Sequence, residues 1–389
     1  MKKMIQPERK KDCCGCKACQ DACRHAAISM VEDEEGFYYP SIDDSKCVDC
    51  GLCNKVCPYE TTNSDHLRYE SFSFPVFYAG QLHKNVELFE VSSGGACWAL
   101  VQVVIQKGGV VYGAEQINVD HVRHTCAHTL EEAKKLRRSK YLPSDTGGVF
   151  SAVKQSLKEG TLVLFCGTGC QVAALNTFLG KSYENLFTAD VVCHGIPSQK
   201  VWKKYREEKE KKAKKRIVDL VFRDKTKGWN KNQYKITYDD GSVEYESSVQ
   251  NLFHAGYLHG LFYRPSCGTC RFATIPRVSD ISLADYWQYK GKFHSEDNNV
   301  GVSLIAINSQ KGGELLESAS AYMDVEETSE ELALKSCRHM DEHPVENPNR
   351  KKFFALFLRK GYHKAATRIL YPPPSIIERV KGRIKKIFN

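Results

Sequence analysis

The stretch TLVLFCGTGCQVAALNTFLG, residues 161–180, determines the fold of the larger part of this chain. Its apolar run at 161–166 predicts a buried strand, a glycine turn follows, and a helix begins at about Cys170. The next stretch, LFTADVVCHGIPS at 186–198, predicts a second apolar strand over 186–192. Strand, helix and strand at this spacing indicate a parallel βαβ unit, whose functional residues gather at the carboxyl ends of its strands.

Two cysteines lie at these strand ends, and two more share a short loop farther along the chain. Cys170 and Cys193 follow the two strands, while RPSCGTCRFA at 264–273 places Cys267 and Cys270 at the spacing of a metal-binding loop. A tetrahedral thiolate site needs four ligands, so these four cysteines together would complete a [4Fe–4S] site built from three segments. On the residues alone, structural zinc and a redox-active CxxC of the thioredoxin type remain alternatives.

A glycine-containing turn precedes another helix earlier in the chain. In FEVSSGGACWALVQVVIQKGG, Ser93 is positioned to cap a helix over about 96–107, and Gly108 and Gly109 end it. The turn Ser-Ser-Gly-Gly at 92–95 thus lies at a helix N-terminus, where free amides and the helix dipole favour an anion.

The remainder of this body alternates strands and helices. QYKITYDDGSVEYES at 233–247 predicts a hairpin with an Asp-Gly turn. GVSLIAINS at 301–309 predicts an apolar strand, and residues 311–321 a helix. The body is therefore expected to be mixed α/β.

The first sixty residues contain two matching cysteine runs. CCGCKACQDAC at 13–23 and CVDCGLCNKVCP at 47–58 both have the spacing C-x2-C-x2-C-x3-C. Tandem runs of this kind are the signature of a bacterial two-cluster ferredoxin, in which the fourth cysteine of each run binds the other cluster. The predicted ligands are Cys13, Cys16, Cys19 and Cys57 for one [4Fe–4S] cluster, and Cys47, Cys50, Cys53 and Cys23 for the second. Cys14 is surplus, and we interpret it as a small buried side chain or a thiol near the cluster.

Length and composition limit the classes of function. The 389 residues suit two or three domains, and a hydrophobic content of 42% is sufficient for a buried core. With no 18-residue apolar run and no apolar segment after the basic N-terminus, we expect neither a transmembrane helix nor a signal peptide, but a cytoplasmic protein. Disulfides do not persist there, so seventeen cysteines, nine of them within 13–57, indicate metal binding or redox chemistry. The formal charge of +9 does not indicate nucleic-acid binding, because anionic clusters would offset it.

Beyond these patterns, the chain resembles the coenzyme F420 hydrogenase/dehydrogenase beta subunit family, in the form with an N-terminal two-cluster ferredoxin domain. The resemblance extends to about residue 310 and rests on seven motifs: SSGG (92–95), RSKYLPS (138–144), GTGCQVAAL (167–175), CHGIPS (193–198), FRDKTKGW (222–229), CGTCRF (267–272) and DISLADYW (280–287). It implies a body that binds FAD and an iron–sulfur cluster. The expected fold is therefore a small two-cluster ferredoxin domain fused to a mixed-sheet α/β flavin-binding body.

The resemblance also implies roles for individual residues. The implied FAD phosphate site is Ser92, Ser93, Gly94 and Gly95, the flavin neighbours are Ser139, Lys140 and Tyr141, and the third [4Fe–4S] cluster is held by Cys170, Cys193, Cys267 and Cys270. Cys166 falls at a position that the family leaves variable and is not chosen. The candidate catalytic residues are Lys140, Arg223, Asp224 and Lys225. Lys140 would compensate the pyrophosphate or the reduced flavin, and the other three form an internal ion pair or a clamp on an acidic substrate.

The expected organisation has five parts. These are a two-cluster ferredoxin domain at 1–60, a linker at 61–75, the N-terminal part of the flavoprotein body at 76–150, its C-terminal part with the third cluster at 151–330, and a helical basic tail at 331–389. The linker prediction rests on a polar stretch without apolar periodicity.

Together these features predict an iron–sulfur flavoprotein oxidoreductase. Clusters pass single electrons and an organic substrate takes two, so a flavin is needed to join the two regimes. The expected partner is a small-molecule substrate or a redox partner protein, with no nucleic acid. The alternative is an electron-transfer subunit of a larger hydrogenase or dehydrogenase complex, with no substrate of its own.

Overall fold

The computed structural model describes residues 7–60, 71–83, 86–293 and 299–372. These residues form a cysteine-rich N-terminal region, a nine-stranded sheet with flanking helices, and a three-stranded sheet beside C-terminal helices. The expected mixed α/β class is therefore confirmed. In the described ranges, no helix is long and apolar enough to cross a membrane.

The N-terminal region, residues 7–60, combines one hairpin with short helices beside its cysteine loops. Its elements are a 3₁₀-helix at Pro7–Asp12, α1 at Ala18–Ala22, β1 at Ile28–Glu32, β2 at Tyr38–Ile42 and α2 at Leu52–Lys55. β1 and β2 are antiparallel, with Ile28 opposite Ile42. Elements this short enclose little apolar core, so the region depends on docking against the body and on its ligands.

The body contains twelve further strands within the described residues. In chain order they are β3 Ser71–Leu82, β4 Val110–Asn118, β5 His121–Ala127, β6 Ser144–Asp145, β7 Val163–Thr168, β8 Leu186–Val191, β9 Ile217–Asp224, β10 Gln233–Tyr238, β11 Val243–Ser247, β12 Ile281–Asp285, β13 Ser303–Ser309 and β14 Met323–Thr328. β9, β10 and β11 form a separate antiparallel sheet, in which β10 and β11 are the hairpin that the Asp-Gly turn predicts. The others form one sheet in the order β14-β3-β13-β12-β8-β7-β4-β5-β6.

The centre of the large sheet is parallel and its flanks are mixed. β4, β7, β8 and β12 are neighbouring parallel strands, while β3, β13 and β14 join by antiparallel pairing. The predicted βαβ unit is confirmed, because β7 and β8 are parallel with Val163 opposite Leu186. Since the sheet takes strands from both 76–150 and 151–330, these two ranges form a single layered body.

The helices pack on both the large sheet and the small one. They are α3 Ala96–Gln106, α4 Leu130–Ala133, α5 Val149–Lys158, α6 Gly169–Leu179, α7 Gln199–Ala213, α8 Leu252–Leu258, α9 Gln310–Ala319, α10 Glu330–Ser336, α11 Arg350–Lys360 and α12 Tyr362–Leu370. The first turn of α6 is closed by a capping box between Thr168 and Gln171, and Gly180 ends the helix in the left-handed conformation. This fixes where the chain leaves β7 and therefore where Cys170 lies.

The N-terminal region is docked on the body by α1, which packs against α5 and α6. Thr146 donates to the carbonyl of Cys16 at 2.7 Å, and Thr177 donates to the carbonyl of Val56 at 2.8 Å. Both acceptors belong to the cysteine loops, so the position of these loops is set by the body as well as by their own turns.

The C-terminal helices are part of the fold rather than an extension from it. α12 packs on α7 and α8, where Phe353 and Tyr362 are fully buried beside Phe253 and Phe262. The predicted basic tail at 331–389 is thus docked by an apolar face over its described part, and residues from 373 onward lie outside the described residues.

Two local predictions differ from the structure. Residues 71–75, assigned to a polar linker, begin β3, while 61–70 lie outside the described residues. Ser93 does not cap α3: its hydroxyl donates to the carbonyl of Val302 at 2.6 Å, and Gly95 in the left-handed conformation is the N-cap residue. In both cases pairing with a strand distant in sequence replaces the local interaction that the pattern indicates.

Candidate functional site

Two cavities in the N-terminal region are lined by the two predicted sets of thiols. The first, which we call the inner set, is Cys13, Cys16, Cys19 and Cys57. The second, the outer set, is Cys23, Cys47, Cys50 and Cys53. The fourth cysteine of each run therefore lines the cavity of the other run, as the two-cluster pattern requires.

Left-handed residues curl the loops around these cavities. Gly15 and Gly51 have φ values of 71° and 69°, and Lys17 has a φ value of 61°. Tight turns of this kind allow cysteines three residues apart to face one centre. At Gly15 an added Cβ would lie 2.8 Å from Nη1 of Arg264, so the absence of a side chain also allows the body to approach the loop.

The inner set is more buried than the outer set. Burial raises the pKa of Cys19 to about 12 and that of Cys57 to about 11, whereas Cys50 is exposed. Iron binds thiolates, so cluster binding must displace the protons of the inner set and is coupled to folding. In the described ranges, no three His, Cys, Asp or Glu side chains are arranged to hold a single metal ion; a cubane needs a wider set, because its thiolates bind different irons.

The sheet brings together the four cysteines predicted for the third cluster, which we call the body set: Cys170, Cys193, Cys267 and Cys270. Cys170 is in the first turn of α6 directly after β7, Cys193 follows β8, and Cys267 lies in a 3₁₀-helix at Pro265–Thr269. Burial, together with the neighbouring thiols of Cys170 and Cys270, raises the pKa of Cys267 to about 12. The four thiols therefore share one buried place between three segments.

Backbone amides already point at two sulfurs of the body set. The amide of Ile196 donates to Sγ of Cys267 at 3.3 Å, and the amide of Gly195 donates to Sγ of Cys193 at the same distance. Amide donors of this kind stabilise thiolates and tune an iron–sulfur centre. The CHGIPS motif thus supplies donors as well as a ligand candidate.

Cys14, the surplus cysteine, connects the inner set to the body set. Its side chain is hydrogen-bonded to the thiols of Cys16 and Cys170, and the bond to Cys16, together with burial, raises the pKa of Cys14. Tyr59, 3% exposed, lies beside Cys14, Cys170 and other thiols of the body set. The two sets are therefore separated by side chains in contact rather than by solvent.

Arg264 is a residue that sequence reasoning missed. It is 4% exposed, and its guanidinium donates to the carbonyls of Cys13 at 2.6 Å and Tyr38 at 2.8 Å and to Sγ of Cys13 at 3.4 Å. The CxxC loop of the body therefore extends a buried positive charge into the inner set. The available signal was an arginine three residues before Cys267, which has no meaning until the two regions are placed together.

The predicted flavin residues converge from two segments. The hydroxyls of Ser92 and Ser139, both part-buried, are 3.0 Å apart. Gly94 and Gly95 instead face the core: an added Cβ would lie 2.2 Å from O of Gly80 at Gly94 and 2.4 Å from Leu82 at Gly95. These glycines allow the turn to pack on β3, so close packing explains them without a phosphate.

Both predicted lysines donate to backbone carbonyls. Nζ of Lys140 contacts the carbonyls of Arg137 and Ala114 at 2.6 and 2.7 Å, and Nζ of Lys225 contacts those of Ser93 and Val300 at 2.5 and 2.6 Å. Burial lowers the pKa of each lysine to about 7, and the carbonyl bonds oppose this by favouring the ammonium. Lys225 holds the turn that precedes α3 in place.

Arg223 forms the internal ion pair that was one of its two predicted roles. Its guanidinium donates to Asp285 at 2.8 Å and to the hydroxyl of Tyr141 at 3.3 Å. Despite burial, the pairing with Arg223 lowers the pKa of Asp285. Asp224 accepts from the amide of Thr226 at 2.9 Å in the turn after β9.

A stacked tryptophan pair lies beside this ion pair. The rings of Trp229 and Trp287 are 4.0 Å apart and 11° from parallel, and Arg223 lies 5.3 Å from the Trp287 ring. Trp287 is 45% exposed. The FRDKTKGW and DISLADYW motifs thus meet at a planar surface open to a ligand.

Two models of known protein families match the chain. The model for the C-terminal part of the coenzyme F420 hydrogenase/dehydrogenase beta subunit matches residues 160–331, and the model for the 4Fe-4S dicluster domain matches residues 12–61. Among solved structures, a chain of the F420-reducing [NiFe] hydrogenase complex from Methanosarcina barkeri is similar at 17% identity. That match covers 72% of this chain and 98% of the other, with a TM-score of 0.46. No curated protein matches.

Proposed function

Since the chain belongs to the coenzyme F420 hydrogenase/dehydrogenase beta subunit family and carries a 4Fe-4S dicluster domain, we propose that it is an iron–sulfur flavoprotein oxidoreductase. In this proposal the inner and outer sets each hold one [4Fe–4S] cluster, the body set holds a third, and FAD lies at the residues around Ser92 and Ser139. Bound clusters supply one-electron transfer, and bound FAD converts single electrons into pairs for an organic acceptor.

The contact between Cys14 and Cys170 is the observation that supports this route most directly. It joins the inner set to the body set through hydrogen-bonded thiols, with Tyr59 packed beside them. Arg264 places a positive charge against Cys13 at the same junction, which favours an added electron there. The chain's own side chains thus exclude water from the path and position its two ends.

The aromatic surface of Trp229 and Trp287 supports an organic acceptor with a planar ring. Offset stacking on an exposed indole suits a flavin or deazaflavin ring, and Arg223 behind it suits a developing negative charge. We therefore propose a deazaflavin of the coenzyme F420 type as the acceptor. Anaerobic protein with reduced ferredoxin should bleach the deazaflavin absorbance, and Trp287→Ala should raise KM more than it lowers kcat.

A second candidate function is that of an electron-transfer subunit without its own substrate. The exposure of the outer set favours it: Cys50 is exposed, and the neighbouring Val48 is 59% exposed. An open cluster with an apolar neighbour suits docking of a redox protein. Protein that copurifies with a hydrogenase or dehydrogenase partner, and that alone reduces dyes but no deazaflavin, would support the subunit and contradict the free-standing enzyme.

The flavin assignment is tested by charge at Ser92. A Ser92→Asp variant places a carboxylate beside Ser139, so we expect repulsion of the pyrophosphate and a fall in FAD from about one per chain to a small fraction. Flavin released by acid and iron per chain are the measurements, and the iron should not change.

Ser92→Asn is the matched control, because it adds similar volume without charge. It should retain most of its FAD. Equal flavin content in the two variants and the unsubstituted protein would remove Ser92 and Ser139 from the flavin site. Substitution of Gly94 tests nothing about FAD, since it would collide with Gly80 and disturb the fold.

A further inference from the structure

Two cysteines outside the inner, outer and body sets lie next to each other. The sulfur atoms of Cys97 and Cys166 are 3.9 Å apart although 69 positions separate them in sequence. Cys97 lies in the first turn of α3 and Cys166 in the carboxyl half of β7. Both are half-buried, so neither is sealed in the core.

We propose that Cys97 and Cys166 form a reversible dithiol–disulfide couple that reacts with small disulfides of the glutathione type. The couple needs neither FAD nor an iron–sulfur cluster, and its test is therefore independent of the proposed function.

The geometry places the two sulfurs close to bonding distance. A disulfide has an S–S length of about 2.05 Å, so the sulfurs need to approach by roughly 2 Å, within reach of side-chain rotation and a small shift of α3. β7 is the firmer partner, because the carbonyl of Cys166 is hydrogen-bonded to Nε2 of His124 at 3.0 Å. The more mobile partner is expected to be Cys97, at a helix end.

The surroundings favour Cys97 as the attacking sulfur. Its position in the first turn of α3 exposes it to the positive end of the helix dipole, and Lys140 lies nearby. The hydrogen bond with Cys166 and the charge of Lys140 lower the pKa of Cys97, whereas the same bond and burial raise the pKa of Cys166. The pair is thus asymmetric, with an attacking thiolate and a protonated resolving thiol.

The reaction is an ordinary thiol–disulfide exchange. The Cys97 thiolate attacks one sulfur of glutathione disulfide, forms a mixed disulfide and releases one glutathione thiolate. Cys166 gives its proton to that thiolate and attacks the sulfur of Cys97, which releases the second glutathione. Two protein thiols lose two electrons, and one glutathione disulfide becomes two thiols.

Anaerobic, cluster-loaded full-length protein should be incubated with glutathione disulfide, alkylated and mapped by peptide mass spectrometry. We expect a peptide pair linked through Cys97 and Cys166, its loss after dithiothreitol, and unchanged iron per chain. A Cys166→Ser variant should accumulate glutathione on Cys97, whereas Cys97→Ser should leave Cys166 at least tenfold less modified.

Cys126→Ser is the matched control, because Cys126 is a half-buried cysteine on β5 outside all sets, and the linked pair should form in it as in the unsubstituted protein. Three results would each overturn the proposal: no linked pair, separate glutathione adducts on both cysteines, or a link that forms only after unfolding in urea.

Discussion

The N-terminal region and the body present their thiols in opposite ways. The inner and outer sets come from two compact runs on tight loops, with few strands and short helices around them. The body set is drawn from three segments, and β7 and β8 bring it together. Behind it lies a buried ion pair between Asp190, 0% exposed, and Arg277, 3% exposed at the side chain.

This difference shows that two kinds of site have two sources of stability. A local loop site needs its metal to hold its shape, because the loops alone bury little apolar surface. A distributed site is held by the core that separates its segments, since β7 and β8 are needed for the sheet with or without ligands. The two regions meet at Arg264 and Cys14, where one source gives way to the other.

Removal of iron gives the largest expected contrast. Anaerobic chelation should abolish amide hydrogen-exchange protection in residues 13–57, while β7 and β8 keep most of theirs, because only the first depends on ligands for its conformation. Hydrogen exchange followed by mass spectrometry measures both regions in one sample. Equal loss of protection in the two regions would break the comparison.

Loss of Arg264 should give the next largest effect. Arg264→Gln removes a buried charge that donates to Cys13 and Tyr38, and we expect a loss of about 3 kcal/mol in stability. The reduction potential of the inner cluster should also fall, because a positive charge near it is lost. Urea unfolding and a redox titration followed by electron paramagnetic resonance are the measurements.

The control for this change is Arg271→Gln, because the Arg271 side chain is 46% exposed and pairs with Asp12 at 3.4 Å at the surface. Stability and potential should both change little in it. If the Arg264 and Arg271 variants behave alike, the junction does not depend on the buried guanidinium.

A smaller effect should separate the regions by pH. Burial lowers the pKa of His124 to about 4, with Ser144 at 2.7 Å and the Cys166 carbonyl at 3.0 Å from its ring nitrogens. The unfolded chain takes up this proton near pH 6.5 and the folded chain only near 4, so stability is complete above 6.5 and falls as pH decreases toward 4. Between pH 7 and 5.5 this one group should remove roughly 1 kcal/mol from the stability of the body.

His124→Gln keeps a hydrogen-bond donor but cannot titrate. Urea unfolding of this variant, followed by circular dichroism, should be less dependent on pH by that amount. His128→Gln, at an exposed position, should retain the full dependence. An unchanged pH dependence in the His124 variant would show that the body's acid sensitivity has another source.

The cysteine spacing predicted the inner and outer sets because their geometry is local, and the apolar periodicity predicted β7, α6 and β8 for the same reason. The packing of Gly94 on β3 and the burial of Arg264 were not predictable, since each depends on a segment distant in the chain. The docking of Phe353 and Tyr362 was missed because charge dominates the composition of that stretch. Sequence patterns thus indicated which residues carry chemistry more readily than which residues hold them.

The central claim is that the body set is a third cluster site joined to the N-terminal pair. Iron and acid-labile sulfide in the Cys267→Ser/Cys270→Ser double variant test it most directly, with Cys126→Ser as control. The unsubstituted protein and the control should contain about twelve irons per chain, and the double variant about eight, with much slower flavin reduction. A double variant with undiminished iron, or with zinc lost in place of iron, would contradict the claim.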